Sequence, residues 1–150
     1  MIVGAVIHLV LIVLALMGKR WAYIIFVGNG LLQIPLRTGF QLEAPECALS
    51  LSMAGARSAL INYPHIMLFA VFSVITYAQF PPSRRALLWA GVATIVFGAV
   101  IELEQGATRT GNCELHDLIP DAIGAFVASV LVLSWQRLRH RWQRTRSALG

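Results

Sequence analysis

Four apolar stretches, each 18 residues or shorter, constrain this chain more than anything else in it: residues 2–17, 63–80, 86–103 and 118–135. One such stretch is compatible with a buried helix in a soluble domain. Four of them in 150 residues, with only 13% of the residues charged, leave too few polar side chains to cover them. The expected fold is therefore all-α: a polytopic transmembrane helical bundle occupying 1–150 as a single membrane domain. A crossing takes about 20 apolar helical residues, so the chain holds four or five spanning helices and almost no extramembrane domain. The same composition excludes a soluble enzyme, a disordered regulator and a coiled coil.

Punctuation supports two of the stretches. Pro64 suits a first helical turn, Pro81-Pro82 stops that helix, and Asp117 stands where an N-cap of the last helix belongs. Residues 21–36 are apolar but interrupted by Gly28-Asn29-Gly30, Gln33 and Pro35. They read as a fifth crossing, a re-entrant piece or an interfacial helix. Residues 37–62 read as a loop rich in Gly, Ala and Ser that carries Glu43 and Glu46. A secretory signal wants a basic n-region and a small-residue cleavage site, but no Lys or Arg precedes the first stretch and Lys19-Arg20 follow it, so a spanning helix is the preferred assignment. His8 interrupts it and is expected to hydrogen-bond inside the bundle, with a proton relay as the alternative.

The charges are distributed unevenly. Lys and Arg number 12 against 7 acids. Five arginines (Arg137, Arg139, Arg141, Arg144 and Arg146) crowd the C-terminal end, and without them the remainder balances. With Arg84 and Arg85 in the connection before the third apolar stretch, the positive-inside rule puts both regions, and the C-terminus, in the cytoplasm of a bacterial inner membrane. Residues 134–150 also carry Trp135, Leu138 and Trp142, which suits a helix lying in the interface on anionic lipid. Nucleic acid uses the same residue types, but a tail that begins where a spanning helix ends points to lipid. Cys47 and Cys113 fall in loops on the opposite, oxidising side, where they are either a disulfide or two free thiols. No metal or cofactor motif is present, and two cysteines are too few for a structural zinc site.

Chemistry concentrates between residues 102 and 124. Glu102, Gln105 and Arg109 share one face of the third strong helix, and Asp117, Asp121 and Gly124 share a face of the fourth. His65 opens the second at the same outer level. Ionisable groups at membrane depth are costly and face a bundle interior or a wet cavity. In one assignment Asp117 caps its helix, Glu102 pairs with Arg109 or His65, and the cluster only fixes helix register. In the other it lines a ligand pocket, where a carboxylate beside His65 serves as general base or His65 and Arg109 hold an anionic headgroup. His65, Glu102 and Asp117 are the catalytic candidates; these three with Gln105, Arg109 and Asp121 are the binding candidates.

Over about 62–133 these residues resemble the VanZ-like membrane proteins, a family known for a member linked to teicoplanin resistance. The resemblance lies in a His opening one helix (His65), Glu-x-x-Gln ending the next (Glu102 to Gln105), an Arg (Arg109), and Asp-x-x-x-Asp-x-x-Gly opening the last (Asp117, Asp121, Gly124). The 12-residue step from Gln105 to Asp117 is similar too. Arg109 stands two residues before the family's usual position, and Asn62 replaces a basic residue three before the His. The resemblance implies an envelope protein that binds or protects a lipid-linked cell-wall precursor or lipid headgroup. A membrane hydrolase or transferase acting on a headgroup, and a structural subunit of an envelope complex, are the alternatives. Small-xxx-small spacing at Gly124/Ala128 and Ala125/Ser129 fits close helix packing within the chain or, less readily, a homo-oligomer face.

Overall fold

The computed structural model describes residues 2–38, 43–45, 47–48, 53–110 and 113–148. Glu46, Gly111 and Asn112 lie outside the described residues. The fold is all-α. Helix α1 (Ile2–Leu16) and α2 (Arg20–Arg37) form a hairpin, α3 (Met53–Leu60) and α4 (Tyr63–Tyr77) follow, and α5 (Arg84–Thr108) and α6 (Leu118–Ala148) complete the bundle. Two short strands, β1 (Cys47–Ala48) and β2 (Cys113–Glu114), pair in parallel, and a 3-10 turn (Leu115–Asp117) leads into α6.

The expected count of four or five spanning helices is not supported. Among the described residues two helices, α5 and α6, are long and apolar enough to span a membrane, or three if the α3–α4 pair, bent by 64°, forms one broken span. The reason is length and polarity. Fifteen residues of α1 rise about 22 Å against a hydrocarbon core of about 30 Å. Helix α2 has 18 residues, but Asn29, Gln33 and the arginines at its ends dilute its apolar content. It runs unbroken through Gly28-Asn29-Gly30, and Pro35 falls in its last turn. The segment expected to be a loop over 37–62 contains α3. Helix α5 begins before residue 86 and runs past 103, capped by the Ser83 hydroxyl, which accepts from the Ala86 amide at 3.0 Å. The basic tail continues α6 without a break, giving one helix of 31 residues, about 46 Å long. No Gly or Pro between 125 and 148 offers a place to turn.

The core is aromatic. Phe72 of α4 stacks on Phe97 of α5 at 4.3 Å between ring centroids, and Tyr23 and Phe26 of α2 close on Phe72 from the other side. Gly18 makes the α1–α2 turn in the left-handed region (φ 76°), which a Cβ disfavours. Its neighbours bond back, Gly18 N to the Ala15 carbonyl and Lys19 N to the Leu14 carbonyl. The Gln79 amide then donates to the carbonyls of Ala15 and Ile75, tying the hairpin to α4. At mid-hairpin, His8 Nδ1 donates to the Gly4 carbonyl, while Nε2 accepts from Asn29 at 2.6 Å and from Gln33 at 3.3 Å. His8 is thus bonded within the bundle, as its position predicts. Replacing His8 with Ala should loosen the hairpin by about 0.6–2 kcal/mol, the range for polar contacts between helices in lipid. Thermal unfolding in detergent reads this out.

The last two helices close on α4 and on each other through glycine. A Cβ at Gly124 would lie 2.7 Å from the Ile66 carbonyl oxygen and 2.8 Å from the Ala70 amide nitrogen, so α6 rests on the α4 backbone. At Gly98 the missing Cβ leaves room for the Asp121 carboxylate, with Phe69 alongside. Both glycines serve packing inside the chain. Near the far end, the Gln136 amide donates to the Tyr77 hydroxyl and holds α6 against α4.

Candidate functional site

Three helix ends meet at one end of the bundle, because α4 begins there, α5 ends there and α6 begins there. Pro64 at the start of α4 sets His65 in the first turn. Asp121 lies in the first turn of α6. His65 Nε2 stands 2.9 Å from Asp121 Oδ1, with the Asp121 side chain 1% exposed and that of His65 27%. Both Asp121 oxygens are shut from solvent, and the His65 ring stands within hydrogen-bonding distance of Oδ1. The His65 ring also stacks on Phe69 at 4.8 Å. A buried carboxylate behind a partly exposed imidazole is the central geometric fact of this end.

Glu102, 6% exposed, sits in the last turns of α5 and accepts the Glu114 backbone amide at 3.4 Å. It pairs with neither Arg109 nor a neighbouring cation at contact distance among the described residues, which corrects one of the expected pairings. His65 is nevertheless close enough to feel the charges of Asp121, Glu102 and Asp117. Asp117 closes the 3-10 turn directly before α6, with an oxygen 3.7 Å from His116 Nε2. Four of the six expected site residues therefore converge: His65, Glu102, Asp117 and Asp121.

Arg109 does not join them. It caps α5 in the left-handed region (φ 54°), its amide bonding to the Gln105 carbonyl, and this turn carries its side chain off the α5 face. The guanidinium is 71% exposed and forms an ion pair with Glu43. Gln105 contributes its carbonyl, which accepts the amides of Arg109 and Thr110. The expectation that His65 and Arg109 together hold an anion is thus corrected: Arg109 pairs with Glu43, and the side chains that converge on His65 are carboxylates.

Three residues outside the expected set stand beside it: His116, Glu114 and Glu104. His116 Nε2 lies 2.8 Å from Glu114 Oε2, and with Asp117 these offer ligand atoms all within 4.8 Å of one another. Imidazole and carboxylate suit a divalent cation by donor type, although here they pair with each other. Glu104 Oε2 is enclosed with no hydrogen-bond partner among the described residues. Its position two residues from Glu102 gave no periodic signal. His116 could have been found from its place between Glu114 and Asp117.

A disulfide joins Cys47 to Cys113, with the Cα atoms 4.6 Å apart, in register with the β1–β2 pairing. Gly106 accommodates it, since a Cβ there would lie 2.8 Å from that of Cys113. The bridge thereby fixes the strand whose Glu114 amide holds Glu102. Below this cluster, a cavity of 260 Å³ opens between α1, α2, α4 and α5, lined by Phe26, Phe69, Phe72 and Phe97 with His8 and Gln33 at its polar edge. Phe69 separates it from His65. Comparison with known protein families, curated proteins and solved structures gives no match, so the likeness to VanZ-like proteins rests on the motif residues alone.

Proposed function

We propose that this is a VanZ-like protein of the bacterial inner membrane whose outer end binds the headgroup of a lipid-linked cell-wall precursor or related envelope lipid. The observation that carries it is the convergence of His65, Glu102, Asp117 and Asp121 at the ends of three apolar helices. The basic tail and Arg84-Arg85 put the opposite end in the cytoplasm by the positive-inside rule. The exposed Val6, Leu9, Val10, Ile24 and Leu32 of the α1–α2 hairpin support apolar surroundings for it in this reading. Since Arg109 is engaged with Glu43 and three of the four converging side chains are carboxylates, the headgroup feature this reading favours is a set of hydroxyl or amine donors, as on a sugar or amino sugar.

Glu102→Gln and Asp117→Asn keep side-chain volume and remove a charged acceptor. A hydrogen bond to a charged group is worth about 1.5–3 kcal/mol, so each should weaken headgroup binding about 10- to 100-fold. In cells, any protection from teicoplanin should be lost while membrane abundance, read by immunoblot, stays at the wild-type level. Disappearance of both variants from the membrane would make the cluster a register device only.

A second reading, a membrane hydrolase, is favoured by Asp121 alone. A buried carboxylate orients and supports an imidazole that takes a proton from water. Turnover of a headgroup lipid by the purified protein, lost in His65→Gln, distinguishes it from binding.

A further inference from the structure

We propose that the groove between α5 and α6 at the arginine end is a binding site for one anionic phospholipid, with its phosphate on Arg84 and Arg137 and an acyl chain along the seam. The groove has a volume of about 660 Å³, and among the described residues its charged lining consists of those two arginines. The helices run antiparallel, so the lining pairs off in register: Arg84 with Arg137, Gly91 with Ser129, Ile95 with Phe126. From Arg84 to Ile95 the helix rises about 16 Å, which matches one leaflet of a hydrocarbon core about 30 Å thick. The shape is a polar clamp at the level of a headgroup with an apolar channel of acyl-chain length beneath it.

Gly91 keeps the groove open at its middle. Gly98 and Gly124 lack a Cβ because this chain's own atoms fill the space, whereas a Cβ at Gly91 would meet nothing within 4 Å. Gly91 is the part of the groove left open. The Ser129 hydroxyl is already used, donating to the Ala125 carbonyl, so the floor is effectively apolar. Neither Arg84 nor Arg137 has an ion-pair partner among the described residues.

Charge decides between a lipid and a second copy of the chain. The acids around Glu102, Glu114, Asp117 and Asp121 sit at the opposite end of α5 and α6. A parallel copy would therefore bring two more arginines to the clamp and no carboxylate. A phosphate complements it.

The test uses the full chain in detergent, offered phosphatidylglycerol or phosphatidylcholine, with bound lipid counted by native mass spectrometry. Two arginines near a phosphate should give about a 30-fold preference for phosphatidylglycerol. Arg84→Gln with Arg137→Gln should bring the two lipids to parity, and Gly91→Leu should expel the bound lipid while both arginines remain. Arg141→Gln with Arg146→Gln, in the exposed tail, should leave the preference unchanged. The proposal is overturned if wild type shows no preference, if the preference survives either groove variant, or if the tail variant abolishes it. A dimer that Gly91→Leu dissociates, without lipid preference, would also overturn it and assign the groove to a second copy.

Discussion

Replacing Cys47 and Cys113 together with Ser is expected to lower stability by up to about 4 kcal/mol. The bridge closes a segment with a sequence separation of 66, which contains all of α3, α4 and α5. In the chain-entropy account, the loss on removing a cross-link grows with the logarithm of the loop it closes, and a loop of this size gives about 4 kcal/mol. Helices that persist in detergent after unfolding shrink the entropy at stake, so the figure is an upper bound. Thermal unfolding with and without reductant checks it: the wild-type midpoint should fall on reduction, and the double variant should not respond. The local effect is as informative as the global one. Cys113 is followed by Glu114, whose amide is bonded to Glu102, so the bridge positions a site residue as well as the chain.

Gly124→Ala should destabilise by about 1–3 kcal/mol, the usual cost of overpacking, although alanine is the better helix former by about 1 kcal/mol. The added methyl meets backbone atoms of Ile66, Phe69 and Ala70, which cannot step aside as a side chain can. Either α6 lifts off α4 or the first turns of both helices shift, and in each case Asp121 moves relative to His65. Gly91→Ala should have the opposite sign. It meets nothing within 4 Å and keeps only the propensity gain of up to about 1 kcal/mol. Unfolding midpoints of the two variants in the same detergent give a comparison independent of absolute scale. Equal effects would mean that the α4–α6 contact does not depend on a bare backbone at residue 124.

These glycines also mark how far the sequence could be read. Apolar run length was enough to find the helices around 63–80, 86–103 and 118–135, since helix period and hydropathy are local properties. Ends were less visible. The sequence contains the Ser83 cap, but a basic tail with Trp135 and Trp142 on one face reads equally as a continuing helix or as one lying flat. The number of spans was overcounted because run length treats α1 and α2 as independent crossings, whereas each falls short in length or in apolar content.

At the site, Asp117 and Asp121, grouped by a shared helix face, both lie near His65, whereas of Glu102, Gln105 and Arg109 only Glu102 does. It failed at Arg109, because periodicity assumes that the helix continues. A left-handed cap at Arg109 ends α5 and sends the guanidinium to Glu43. Which partner faces which across helices depends on their approach distance. Asp121 can reach Gly98 only because no Cβ intervenes, and that fact is tertiary.

The central claim is that the carboxylates around His65 recognise a headgroup and do more than set helix register. Its most direct test is binding of an undecaprenyl-diphosphate-linked amino sugar to the purified full-length protein, compared between wild type and Glu102→Gln at matched thermal stability. Saturable binding by the wild type, weakened about 10- to 100-fold in the variant with an unchanged unfolding midpoint, is the predicted result. Equal binding by both proteins, or a variant that loses stability and affinity in step, would contradict it.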